Sequence, residues 1–200
     1  MSRKYFLLRR SAVILCDNGG YNLAASEMNP VIFEDFVDLL MERCIHPVIW
    51  EPFAGRTTHS PFQDYAKEAG VLLLSQTLHP QDSRIVARDS TEVGPSEKIG
   101  GMLFHPPYFG PEPIIEDSRD VCSENGEKSY LHRLRITACL ARRKMVKNAL
   151  VCAVGRDYRI GGRRIRLDLW YLNIFESERF VLDAVWTSEP DVVLIFRKGE

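Results

Sequence analysis

The sequence predicts a three-layer α/β/α sandwich, a mostly parallel sheet with helices on both faces and a C-terminal antiparallel hairpin at one edge. Three observations lead there. From Asn29 onward, short apolar runs of strand length alternate with stretches of helical periodicity. Two of the runs end directly in stiff loops, Glu51-Pro52-Phe53-Ala54-Gly55 and His105-Pro106-Pro107-Tyr108. The last two runs flank Glu189-Pro190, as the arms of a hairpin do. At 200 residues the chain is long enough for one sizeable core and reads as a single domain, 1–200.

The elements follow in order. Ser11 to Cys16 reads as a strand and Asp17-Asn18-Gly19-Gly20 as a turn. Asn29 is placed to cap a helix, with Pro30 at its first position. Ile32, Phe33, Phe36, Leu39, Leu40 and Cys44 recur at helical spacing, so the helix covers 30–44. Pro47 to Trp50 is a strand. Phe62 to Ala69 is a short helix stopped by Gly70. Val71 to Leu74 and Ile85 to Ala87 are strands, and the apolar run Ile99 to Phe104 is a buried one. Pro111 to Gly126 is polar, acidic and aperiodic. It reads as a mobile loop, reaching 111–130 at its widest. Leu131, Leu134, Ala138, Ala141 and Met145 line one helix face. Ala149 to Val154 is a central strand, Gly161-Gly162 a turn, and Leu169 to Phe175 a helix. Phe180 to Trp186 and Val192 to Phe196 form the closing hairpin.

Composition narrows the classes. The net charge is −1, so no global basic field points to nucleic acid. Charge is uneven, however. Between His132 and Arg166 basic residues abound, Arg156, Arg159, Arg163 and Arg164 among them, and Asp157 is the only acid. Such a run tracks phosphates or is a solvated helix face and surface hairpin, with equal weight. The five cysteines show no paired spacing, which fits reduced thiols in a cytoplasmic protein. The histidines lack metal-ligand spacing, so no metal is expected. No stretch is long enough to span a membrane.

The two stiff loops are the candidate site. Consecutive prolines cannot donate to a sheet ladder, so the strand must stop at Phe104. His105 and Tyr108 are then presented at a strand's carboxyl end, where open α/β sheets place their ligands. Glu51 stands at another such end, before a small-residue loop that lets backbone approach a ligand. Taken singly, Glu51 reads equally as a solvated strand-end acid, and the Pro-Pro loop as a rigid turn with an aromatic plug.

Together these residues resemble the amino-methylating DNA methyltransferases, which make N6-methyladenine or N4-methylcytosine. That family has an Asp-Pro-Phe-x-Gly-type cofactor loop and a catalytic Asp/Asn/Ser-Pro-Pro-Tyr/Phe loop. Here they read Glu51-Pro52-Phe53-Ala54-Gly55 and His105-Pro106-Pro107-Tyr108. Asn29-Pro30-Val31-Ile32-Phe33, Arg88-Asp89-Ser90-Thr91 and Val151 to Asp157 are similar to further family segments, and the likeness spans most of the chain from Asn29. The resemblance implies the class I methyltransferase sheet, a Rossmann-like α/β sandwich, and S-adenosylmethionine as cofactor. It carries Glu51, Phe53, Ala54 and Gly55 to methionine and backbone contacts, and Asp89 and Ser90 to the adenine side.

In the implied chemistry the His105 ring and the Pro106 carbonyl accept the protons of an exocyclic amine, and Tyr108 stacks on a base extruded from the duplex. His105 can accept only when neutral, which implies loss of activity below its pKa, ~6.5 if unperturbed. The chain differs from the family in two places. Arg56 stands where a second glycine is usual, and the ribose-binding acid is missing near Thr77-Leu78-His79-Pro80. DNA is the implied partner, with RNA or a nucleotide as the alternative. Arg156, Arg159, Arg163 and Arg164 are the phosphate-binding candidates. No separate target-recognition domain is evident beyond 111–130 and the 156–166 hairpin, so a specificity subunit or a homodimer is the expected source of selectivity. A methyltransferase-like module that only binds nucleic acid or a subunit is the non-catalytic alternative.

Overall fold

The computed structural model describes residues 5–7, 28–43, 46–54, 61–78, 80, 83–109, 126–160, 162–189 and 191–200. Its elements are β1 (Tyr5–Leu7), α1 (Pro30–Arg43), β2 (Val48–Glu51), α2 (Pro61–Glu68), β3 (Leu72–Thr77), β4 (Val86–Ala87) and β5 (Ile99–Phe104). They continue with α3 (Glu127–Lys144), β6 (Met145–Gly155), β7 (Tyr158–Ile160), β8 (Arg163–Ile165), α4 (Leu167–Ser177), β9 (Phe180–Ser188) and β10 (Asp191–Lys198).

Eight strands form one sheet in the order β1-β9-β10-β6-β5-β2-β3-β4. The run from β6 to β4 is parallel throughout. β10 lies antiparallel between β6 and β9, which is the expected closing hairpin. From β2 the chain winds outward to β3 and β4, then returns to β5 on the other side of β2. That reversal makes the β2/β5 boundary the sheet's switch point, where a crevice opens beyond the carboxyl ends.

Strand pleating splits the core between two layers. Ile49, Leu103 and Cys152 pack with Ile32, Phe33, Phe36 and Leu40 of α1 on one face. Trp50, Met102 and Phe104 pack on the other with Tyr130, Leu134 and Ala138 of α3 and Tyr171 and Phe175 of α4. Each such side chain contributes roughly 1.5–3 kcal/mol through burial. A Cβ at Gly155 would lie 2.8 Å from Tyr171 Cε2 and 3.0 Å from Leu167 Cβ. Glycine there lets α4 lie against the end of β6.

Local signals worked where chemistry, not length, set the boundary. The Asn29 side chain accepts a hydrogen bond from the Val31 N–H at 3.1 Å, capping α1 as expected. Met145, expected on the α3 face, instead has extended backbone (φ −67°, ψ 135°) and starts β6. It is buried in either assignment, so apolar periodicity runs across the boundary unchanged. Arg142, Arg143 and Lys144 fill the last turn of α3, a favourable end for cations. At its other end α3 already begins at Glu127, so 127–130 is helix rather than loop. β3 runs on past Leu74 through three polar residues, and its Leu72 is exposed rather than buried. α4 starts at Leu167, one residue after Arg166. The expected strand Ser11 to Cys16 and its turn, and the loop 110–125, lie outside the described residues. Among the described residues no helix is long and apolar enough to cross a membrane.

Candidate active site

Glu51 and the His105 loop flank the switch point. Trp50 pairs with Met102 across β2 and β5. Glu51 follows Trp50 directly, and Leu103, Phe104 and His105 follow Met102. The rings of Phe53 and Phe104 meet edge to face at 5.6 Å and tie the two loops together. Ala54 donates its N–H to the Gln76 carbonyl at 3.0 Å, so the Pro52-Phe53-Ala54 turn is pinned to β3. Gly55 and the rest of that loop, 55–60, lie outside the described residues.

Glu51 is not a solvated acid. It is 5% exposed, and Ser75 Oγ donates to its Oε2 at 2.6 Å. Gln63 of α2 donates in turn to Ser75 Oγ at 2.8 Å. Burial pushes the Glu51 carboxyl up to about 7, against the opposing pull of the Ser75 hydrogen bond. Trp50 Nε1 donates to the Gln76 side chain, whose amide reaches the Val93 carbonyl at 3.3 Å. The polar stretch Ser75-Gln76 thus lies buried at the carboxyl end of β3, and a polar pair inside an apolar strand was the available signal for it.

The His105 loop is held from outside. Tyr130 of α3 donates its hydroxyl to the Pro107 carbonyl at 2.9 Å, and Tyr158 of β7 donates to the Phe109 carbonyl at 2.8 Å. Pro106, just before the first anchored carbonyl, is buried. His105 meets Tyr108 edge to face at 6.3 Å. Burial, with the Arg156 charge adding to it, pushes the His105 imidazole down to about 4. The group is thus perturbed from the ~6.5 of an unperturbed imidazole. The ring is neutral at physiological pH, the state in which one nitrogen accepts and the other donates.

Tyr108 is 8% exposed, and its ring lies nearly parallel to that of Tyr158, with centroids 5.1 Å apart and planes 9° apart. Tyr158 sits on β7 in the arginine-rich segment, where a lone tyrosine among charges has no periodicity to mark it. Phe109, Tyr130 and Trp170 extend the aromatic wall, with centroids 5.4 to 6.4 Å apart.

The other expected site residues are placed as follows. Asp89 accepts hydrogen bonds from the Thr91 N–H at 2.8 Å and the Thr91 hydroxyl at 2.7 Å, and pairs with Arg133 of α3 at 2.9 Å. Its carboxylate is largely committed to that turn and to α3. Ser90 is buried beside it, and its carbonyl faces Thr137 Oγ1 at 3.4 Å. The arginine run is matched by its own acid, Asp157, and by acids from elsewhere in the chain. Arg156 pairs with buried Asp191 at 3.0 Å, Arg163 with Glu127 at 2.8 Å, and Arg164 with Asp157 at 2.6 Å. Arg159 is exposed on β7.

With this geometry in view, solved structures supply a comparison. A Burkholderia thailandensis 1,6-didemethyltoxoflavin-N1-methyltransferase, solved with its substrate and S-adenosylhomocysteine, aligns with a TM-score of 0.52 at 14% identity, covering 84% of this chain and 77% of its own. A TehB-like SAM-dependent methyltransferase from Corynebacterium glutamicum aligns at 0.52 and 12% identity, covering 85% and 100%. Magnesium protoporphyrin IX methyltransferase from Synechocystis, with bound SAM, aligns at 0.52 and 6% identity, covering 89% and 88%. The chain has the class I methyltransferase fold. No protein-family model matches the sequence, and no curated protein does.

Within the class I methyltransferase fold, the chemistry of the Glu51 carboxyl bears on a cationic cofactor. A buried carboxyl held by one neutral donor, with no charged neighbour acting on it among the described residues, is suited to an incoming cation. The adenine side fits less well, because Asp89 is already paired with Arg133.

Proposed function

We propose that this chain is an S-adenosylmethionine-dependent methyltransferase whose acceptor is an exocyclic amino group of a nucleobase in DNA. One observation carries the reading. A buried carboxyl, Glu51, and a neutral acceptor loop, His105-Pro106-Pro107-Tyr108, stand side by side at the switch point of the class I methyltransferase sheet. S-adenosylmethionine, when bound, supplies an electrophilic methyl group on sulfur.

The chain's own residues do the rest. Glu51, once ionised, holds the ammonium end of the cofactor, with Ser75 and Gln63 fixing the carboxylate's orientation. Phe53 and Ala54 shape the floor beside it. The His105 acceptor nitrogen and the Pro106 carbonyl take hydrogen bonds from the two amine protons, which turns the nitrogen lone pair toward the methyl group. Tyr108 stacks on the base. The Tyr130 anchor on the Pro107 carbonyl keeps these acceptors in place, so the rate gain comes chiefly from positioning.

The test is direct. Purified protein with isotope-labelled S-adenosylmethionine and unmethylated DNA should yield labelled N6-methyladenine or N4-methylcytosine by mass spectrometry of the nucleosides. Glu51→Ala should abolish cofactor binding in calorimetry. Cofactor binding without any methylated base in DNA would refute the acceptor assignment. An RNA or nucleotide acceptor is the second reading; the acids that pair with Arg156, Arg163 and Arg164 reduce the charge available to track a phosphate backbone, which favours the nucleotide.

A further inference from the structure

We propose that Tyr158 is a resident stand-in for the acceptor base: its ring holds the stacking face of Tyr108 until the acceptor's ring displaces it, and the β7–β8 hairpin is the part that gives way. The inference rests on the reading of Tyr108 as the surface on which the base stacks. At 5.1 Å and 9° the two tyrosine rings are in direct contact, within the ~4.5–7 Å range of aromatic pairs, and no third ring fits between them. Tyr108 is 8% exposed, so a base can reach its face only if a neighbour leaves.

Tyr158 is the neighbour placed to leave. The catalytic-end strands are sewn into the eight-stranded sheet, whereas among the described residues β7 and β8 pair only with each other. Gly162, at φ +81°, makes their turn. The hairpin's charged ties are exposed ion pairs, Arg163 to Glu127 and Arg164 to Asp157, and such pairs are weak. The Tyr158 hydroxyl on the Phe109 carbonyl is the latch that sets the closed position. A planar base replaces one ring contact with another as it enters. A group that cannot stack forfeits that contact, so the tyrosine sets a threshold that favours aromatic acceptors.

The experiment measures binding of the full chain to single-stranded oligonucleotides carrying either 2-aminopurine or an abasic site at one position. Tyr108→Ala should weaken binding of the 2-aminopurine strand. Tyr158→Ala should tighten it about three- to tenfold, the worth of one aromatic pair, and leave the abasic strand unchanged. Tyr158→Phe keeps the ring, loses only the latch and should tighten in the same direction by less, which covers the case in which the alanine variant does not fold. Equal changes for both strands, weaker 2-aminopurine binding in Tyr158→Phe or Tyr158→Ala, or no change in either overturns the stand-in. Insensitivity of the 2-aminopurine strand to Tyr108→Ala overturns instead the reading of Tyr108 as the base platform.

Discussion

Burial favours the neutral form of both Glu51 and His105, but they ionise in opposite directions, and this gives each its own pH signature. Glu51 has a pKa of about 7 in the fold against 4.5 outside it. The fold therefore holds a proton that the unfolded chain releases, and stability falls as pH rises from 4.5 through 7, by roughly 3 kcal/mol in all. Between pH 5 and pH 8 the His105 penalty runs against this slope, so it is read as a difference: in denaturant melts at both pH values the stability of wild type relative to Glu51→Gln should shrink as pH rises. Cofactor affinity should run the other way, rising through pH 7 as the carboxylate forms, because the anion is the form that pairs with an ammonium group. Isothermal titration across pH 6 to 8 checks this in wild type, with Glu51→Gln expected to be weak and flat. His105, lowered from 6.5 to about 4, penalises the fold only as pH falls through that window. Its acceptor role should persist to about pH 4, so any activity loss between pH 7 and 5 belongs to Glu51. Replacing His105 by Ala should lower kcat about 10²-fold or more while leaving cofactor affinity intact, as read by pre-steady-state turnover and calorimetry.

At the level of elements, close approach and shared hydrogen bonds decide which changes are tolerated. Gly155→Ala drives a methyl group into Tyr171 and Leu167, so α4 must shift off β6. A loss of about 1–3 kcal/mol in denaturant melts is expected. Arg133→Ala leaves Asp89 buried without its cation and should cost more than the Arg133→Ala/Asp89→Ala pair does, a double-mutant coupling readable in the same melts. The strands and helices were legible because their apolar residues repeat with the right period, as at Ile32, Phe33, Phe36 and Leu40. The loops at Glu51 and His105 were legible because proline ends a strand in an unmistakable way. What joins them was not. Ser75, Gln63, Tyr130 and Tyr158 act across long stretches of chain, and a hydrogen bond such as Gln63 to Ser75 leaves no local pattern. The acids that pair with the arginine run, Glu127 and Asp191, were out of sight for the same reason.

For the molecule as a whole, the sheet order joins a parallel half, which ends in the site, to the antiparallel β9–β10 hairpin, beyond which β1 lies parallel to β9 at the edge. The distribution of charge follows that division only partly. Arg159→Ala should change the slope of DNA affinity with salt by about one charge, while Arg163→Ala with Arg164→Ala should change it by less than two, because each must first leave its own acid. Fluorescence anisotropy over a salt series measures both. The separate pairing of β7 with β8 has a wider reach. Among the described residues no backbone ladder ties the hairpin to the main sheet, so its exposed positions, Arg159, Arg163 and Arg164, can be exchanged while buried Tyr158 and Ile165 keep their places in the core. Acceptor range can then drift, or be redesigned, through these few positions while the methyl-transfer end of the protein stays as it is.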